Sequence, residues 1–463
     1  MSTTPTRAVD PAAPGTTTAQ TRYDLVIRGR QIMTTAGLVA AEVGVRDGAI
    51  MALEPLGSAL VGDRFIDLAA DEVLMPGLVD THVHVNEPGR TDWEGFASAT
   101  RAAAAGGVTT IIDMPLNSVP PTTTVAALEI KRAKAAEASH VDVGFWGGAV
   151  PGNTDQLRAL HEAGAFGFKC FLIDSGVEEF GHLDPPELER DLAELAGFDG
   201  LMLVHAEDPG VIDQAPRPHG RHYADFLHSR PAQAESAAIA TVIEAARRTG
   251  ARAHILHLSN AGALPMIARA RADGVRLTVE TCPHYLALTA EEVPDGATAY
   301  KCCPPIRDGG NRDLLWQGLV AGTIDTVVTD HSPSTLDLKA LDTGDFGEAW
   351  GGVASLQLGL AVMWTEARTR GIDLSQVAHW MATRPAELVG LSGKGAIAVG
   401  RDADLVVFAP EDAFVVDVTR LHHKNPITPY ADRPLVGAVR RTLLRGSDTT
   451  GTPRGTLLRR GEA

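Results

Sequence analysis

The sequence predicts an α/β chain, a (β/α)8 TIM-like barrel with a small β-sandwich domain built from both chain ends. Three observations predict it. In the central region, short β-branched apolar runs alternate with stretches that place apolar residues at helical spacing. Both ends read as short strands separated by turn residues, with no helix-length periodic segment. Several of the central runs end on His, Lys or Asp.

In chain order, residues 1–22 are rich in Thr, Ala and Pro and read as a disordered arm. They lack the basic start and the apolar stretch of about 7–15 residues that mark a secretory signal. Residues 23–75 and 389–446 are expected to pair as one composite β-sandwich domain. Its first strands begin at Tyr23 and Ala41, with Asp47 and Gly48 as a hairpin turn, and its last begin at Asp404 and Ala438. Residues 76–388 make the barrel, and residues 447–463 are left as a C-terminal tail.

Eight runs supply the barrel strands, beginning near Leu78 (LVDTHVH), Val108 (VTTIIDMP), Val141 (VDVGFWGG), Ala165 (AFGFKCFL), Leu201 (LMLVHAED), Ala253 (AHILHLS), Val275 (VRLTVETC) and Ile324 (IDTVVTDH). Strands buried on both faces read as continuous apolar runs, which is what a parallel barrel demands. Helical stretches at Glu94 to Ala105, Ala234 to Thr249 and Leu264 to Ala272 lie between or beside them.

Composition removes several function classes. The net charge of −17 and the lack of any continuous Lys/Arg patch exclude nucleic acid as a partner. No apolar run reaches the roughly 18 residues needed to span a bilayer. A cytoplasmic protein is expected. The four cysteines, Cys170, Cys282, Cys302 and Cys303, form no CxxC pairs and read as reduced thiols.

Strand ends at the C-terminal mouth of such a barrel carry its chemistry. His82 and His84 close the first run, and alternate strand residues share a face, so both imidazoles can enter the mouth. An HxH alone is weak, because a strand-end His is often only hydrogen-bonded. His205, His257 and Asp330 end the fifth, sixth and eighth runs, however, and each buried polar group would otherwise need its own partner. A divalent metal site of N and O ligands accounts for all five, and zinc suits it, with manganese, cobalt or nickel also compatible.

Lys169 sits in an apolar strand end (FGFKCF). One reading is a buried stem with its amine in water. The other is that burial lowers the amine pKa and the neutral amine adds carbon dioxide, giving a carbamate that bridges two metals as a sixth ligand. Two ions roughly 3.5–4 Å apart would hold a bridging hydroxide as nucleophile and polarise a carbonyl. Asp330 would ligate one metal and carry the proton from nucleophile to leaving nitrogen.

These residues resemble the pattern of the amidohydrolase superfamily, in its cyclic amidase branch of dihydroorotases, hydantoinases and allantoinases, over about Tyr23 to Gly446. The resemblance implies that His82, His84, Lys169, His205, His257 and Asp330 bind two metals with the lysine carboxylated. All six positions are filled, which disfavours a non-catalytic scaffold that has lost its ligands. The stretch HVHVNEPGRTDWEGF is similar to the allantoinase version. Asn86 stands where dihydroorotases usually carry an arginine for a substrate carboxylate. No tyrosine follows Lys169, unlike in hydantoinases. The runs ETCPHY, KCCPPIR, DHSP and WGGVASLQ point the same way.

The resemblance thus implies hydrolysis of the cyclic amide of allantoin to allantoate, a step of purine (ureide) catabolism, with a hydantoinase or dihydropyrimidinase as the alternative. It further implies Asn117, Cys303 and Ser332 as substrate-binding residues, and a homotetramer or dimer. Cys303 stands where the family commonly has serine. For Asn117 and Ser332, loop capping is an equal reading. His284 and His331 are either second partners of the ligands or structural histidines. His161, His182, His422 and His423 are expected at the surface.

Overall fold

The computed structural model describes residues 21–462, so residues 1–20 of the expected arm lie outside the described residues. The N-terminal strands are β1 (Arg22–Thr34), β2 (Gly37–Arg46), β3 (Ala49–Pro55), β4 (Val61–Asp67) and β5 (Val73–Pro76). The β2–β3 turn is Asp47-Gly48 with φ of 53° and 80°, the left-handed pair that a tight hairpin requires.

The eight expected runs appear as nine strands, the third run splitting in two: β6 (Leu78–Val83), β7 (Val108–Asp113), β8 (Asp142–Phe145) with a two-residue β9 (Gly147–Gly148), β10 (Phe168–Phe171), β11 (Leu201–His205), β12 (Arg252–Ile255), β13 (Leu277–Thr281) and β14 (Thr326–Val327). All pairings among them are parallel. The circle closes where Val83 bridges His331 in parallel and His84 N–H donates to the His331 carbonyl at 2.9 Å. Helices at Phe96–Ala105, Ala232–Thr249 and Leu264–Ala272 match the periodic stretches to within two residues.

Three further strands follow, β15 (Leu405–Val415), β16 (Pro434–Leu444) and β17 (Ser447–Asp448). They join the N-terminal strands in one sheet of order β17-β16-β15-β5-β1-β2-β3. The sheet forks at β1, whose one edge is shared by β4 and β5. It also curls: Ile50 donates to Arg401 O, Ala403 to Gly48 O, and Arg64 to Gly446 O. Leu25, Ile27, Val43, Leu405 and Leu443 thereby share one core.

A buried charge cluster ties this sheet to the barrel. Lys394 Nζ reaches Asp142 at 2.8 Å, Asp402 at 3.0 Å and Asp404 at 2.7 Å, and Arg445 reaches Asp142 at 2.6 Å. Removing the lysine would leave buried carboxylates uncompensated, at a cost of about 3–5 kcal/mol.

The segment assigned as a tail is packed. Val143 donates to Thr456 O at 2.9 Å and accepts from Leu458 N–H at 2.8 Å, so residues 455–460 lie along β8. A Cβ on Gly455 would overlap the Val141 carbonyl, which is why glycine stands there. Among the described residues, no helix is long and apolar enough to cross a membrane.

Candidate active site

Parallel strands with apolar faces bring their terminal polar residues to one mouth, and the six candidate donors meet there. His82, His84, Lys169, His205, His257 and Asp330 are all buried. Donor atoms of His82, His84 and Asp330 lie within 4.8 Å of one another. Asp330 Oδ1 is 3.1 Å from His82 Nε2 and 3.5 Å from His84 Nε2. His205 Nδ1 faces His257 Nε2 at 3.0 Å, and the His82 and His257 rings are 5.5 Å apart. Asp330 and His257 carry positive φ, 45° and 33°. Backbone in this region is uncommon for residues with a side chain and concentrates at functional sites.

Several carboxylates orient the imidazoles. Glu280, on β13, accepts from His82 Nδ1 at 2.5 Å and His254 Nε2 at 3.0 Å. Glu207 accepts from His205 Nε2 at 2.8 Å and from Arg230 at 2.5 Å. His331 takes the backbone N–H of Ser355 and Leu356 on Nδ1, which leaves its Nε2–H for Glu94 at 3.2 Å. None of these partners is one of the six candidate ligands, so of the two readings His331 fits the structural one: it fixes the loop that carries Asp330.

Burial lowers the Lys169 amine to about 8, with the Asp330 and Glu280 carboxylates opposing the shift only in part. Its Nζ lies 4.7 Å from the Phe171 ring centre and, among the described residues, has no hydrogen bond or ion pair. Burial likewise brings His84 down to about 3. For His82 burial acts downward too, but Asp330 and Glu280 outweigh it and hold the ring near 9. Burial would raise Asp330, yet His82 and its neighbours keep it well below the usual carboxylate range.

The donor set fits divalent ions. His82 Nε2, the nitrogen that faces Asp330, is buried without a hydrogen-bond partner, and unmet buried nitrogens are rare without a ligand or water to take them. All six residues offer the nitrogen or oxygen donors that such ions accept.

A cavity of about 410 Å3 opens onto this cluster, lined by five of the six donors, His82 lying behind His84. Asn117, Cys303 and Ser332 line its wall. Asn117 stands at φ 66°, and Arg90 donates to its carbonyl at 2.9 Å. Asn86 does not line the cavity: it is fully buried, with its amide 3.4 Å from the Pro333 carbonyl, so it acts on the wall only through that loop.

Sequence reasoning missed most of the wall. Residues 347–352 form one side. Lys301 holds it by the Ala349 carbonyl at 2.5 Å, and Lys339 by the Trp350 carbonyl at 3.0 Å and that of Gly352 at 2.5 Å. Trp350 meets Trp93 edge-on at 5.2 Å. Gly352 lies at φ 127°, where a Cβ would overlap Ser332 O. Arg230 also lines the cavity. Lysines bonded only to distant backbone carbonyls leave no local signal; Glu280 and Glu207, carboxylates among strand-end apolar residues, did leave one.

Two histidines expected at the surface are buried. His161 packs on Phe198 with ring centres 4.5 Å apart, and His423 stacks on His331 at 5.7 Å. Both sit in segments whose covering partners come from elsewhere in the chain. His182 and His422 are exposed. All four cysteines are free, with Cys303 the most accessible.

Comparison with known proteins agrees with this geometry. The amidohydrolase family matches residues 73–442. The chain is 58% identical to an allantoinase of Streptomyces avermitilis, over 94% of this chain and 99% of that protein. It is 48% identical to the Saccharomyces cerevisiae allantoinase, over 81% and 82%. The L-hydantoinase structure from Arthrobacter aurescens superposes with a TM-score of 0.88 at 29% identity, covering 95% of this chain and 100% of the other.

Proposed function

Because the chain belongs to the amidohydrolase family, we infer that it hydrolyses the cyclic amide of allantoin, opening the ring to allantoate. The observation that carries the hydrolytic reading is the convergence of four imidazoles, a desolvated lysine and an ionised aspartate at the strand ends, with five of the six residues lining one cavity. The choice of ring is supported by the allantoinases among its relatives.

His82, His84, Lys169, His205, His257 and Asp330 would hold two divalent ions, zinc first among them. When bound, such ions supply an activated water and a Lewis acid for the ring carbonyl. The remaining steps belong to the chain. The neutral Lys169 amine adds carbon dioxide: an N–C bond forms, one proton leaves to solvent, and the resulting carbamate becomes an anionic oxygen donor. Asp330, ionised at neutral pH, accepts the proton of the attacking water and delivers it to the ring nitrogen as the C–N bond breaks. Glu280 and Glu207 keep His82 and His205 in fixed orientation and tautomer. Asn117, Ser332 and the backbone at Cys303 hold the ring against the wall.

The same proposal includes a homo-oligomeric, cytoplasmic enzyme, and it takes the two arms of the forked terminal sheet, on residues 23–75 and 389–446, as the sandwich domain beside the 76–388 barrel.

A second reading, hydrolysis of hydantoin or dihydropyrimidine rings, is favoured by the close superposition on the L-hydantoinase. Purified protein given allantoin, hydantoin, dihydrouracil and dihydroorotate separately decides between them. Allantoin is expected to be turned over fastest, with allantoate accumulating in equal amount. Rapid turnover of another ring with allantoin untouched would overturn the assignment.

A further inference from the structure

Cys282 follows β13 directly, and His284 lies in the short helix Pro283–Ala287. The Cys282 thiol, an imidazole nitrogen of His284 and a carboxylate oxygen of Asp330 lie within 4.8 Å of one another, and all three residues are buried. Neither ring nitrogen of His284 has a hydrogen-bond partner, although the residue is fully buried. A neutral imidazole carries one N–H and one lone pair, and leaving such groups unmet costs about 1–3 kcal/mol each. Tyr285 packs against the ring with centres 4.1 Å apart, but its hydroxyl is committed to the Pro304 carbonyl at 2.7 Å. The catalytic reading uses neither Cys282 nor His284.

We propose that Cys282, His284 and Asp330 form a second cation site that shares Asp330 with the hydrolytic cluster, selective for thiophilic divalent ions such as cadmium, whose occupation stops hydrolysis by drawing on the Asp330 carboxylate. The donor set differs in kind from the hydrolytic one, which has nitrogen and oxygen donors only; a thiolate shifts preference toward soft ions. Binding breaks the Cys282 S–H bond, forms a sulfur–metal bond and releases one proton to solvent, with no change of oxidation state. Asp330 is the shared element. An ion held by sulfur and His284 competes for the carboxylate that the catalytic step requires.

The test titrates cadmium into the metal-loaded full-length protein and follows the near-ultraviolet thiolate-to-cadmium absorbance together with allantoin turnover. The band is expected to saturate at one equivalent, in step with inhibition. Cys282→Ser should abolish the band and raise the inhibitory cadmium concentration about tenfold or more; His284→Gln should weaken binding by a similar factor while folding independently of the thiol change. Cys302→Ser and Cys303→Ser should leave the band in place. A band that survives Cys282→Ser, one lost only in Cys303→Ser, or inhibition without any band would overturn the site. The proposal goes beyond the assignment of substrate, because turnover measured before cadmium is added reports on that assignment separately.

Discussion

Glu280 lies 2.5 Å from His82 Nδ1, and this single contact determines which nitrogen of that ring faces Asp330. The other Glu280 oxygen is engaged by His254, so the carboxylate has no freedom to turn away. Glu280→Gln keeps the shape but removes the anion that orients the ring and raises its basicity. Metal affinity is expected to fall about 10–100-fold, read by chelator competition, with kcat/KM following. Unchanged retention in Glu280→Gln would show that packing alone positions His82.

Lys169 is the one amine of the cluster, and it has no carboxylate partner at ion-pairing distance among the described residues. Lys169→Ala should lose both metals on gel filtration and all measurable turnover. Short carboxylic acids added to this variant should restore part of each, by supplying the missing oxygen donor. A Lys169→Ala protein that stays active would refute the carbamate.

Lys339 acts at the opposite wall, where its ammonium bridges the carbonyls of Trp350 and Gly352. Hydrogen bonds to a charged group contribute about 1.5–3 kcal/mol each. In Lys339→Met the wall loosens while the donor cluster is untouched, so KM should rise about tenfold with a smaller change in kcat, a loss of uniform binding. Metal content should stay the same, which separates this variant from those in the cluster.

His423 is neutral where it stacks on His331: burial lowers it to about 4, with the neighbouring His331 adding to the shift. The unfolded chain binds this proton near pH 6.5, the folded chain only near 4. Its contribution to stability is therefore whole above pH 6.5 and is lost as pH falls toward 4, with a slope of about 1.4 kcal/mol per pH unit. His423→Phe keeps the stack and removes the proton. Its unfolding midpoint should fall less steeply than that of the wild type across this window.

The barrel strands were legible because burial on both faces leaves runs such as Val108–Asp113 apolar or β-branched almost throughout. The convergence of the six candidate donors was legible for a related reason: a His, Lys or Asp that follows such a run has no place in a core. Lys301 and Lys339 were not, since their partners are carbonyls of a wall nearly fifty and about a dozen residues away. His423 looked exposed because its segment has no periodicity, and its cover is the Asp330 loop. Residues 455–460 carry no strand pattern, yet β8 supplies their partners. Asn86 served as a marker of kinship alone, because the chain turns its amide onto Pro333.

His257 and Asp330 hold their side chains on left-handed backbone. Such conformations cost of order 1–3 kcal/mol each unless the surroundings enforce them. Glycine at either position would relieve that cost while deleting a donor. Drift toward a steadier fold and decay of the chemistry therefore run in the same direction at these two codons.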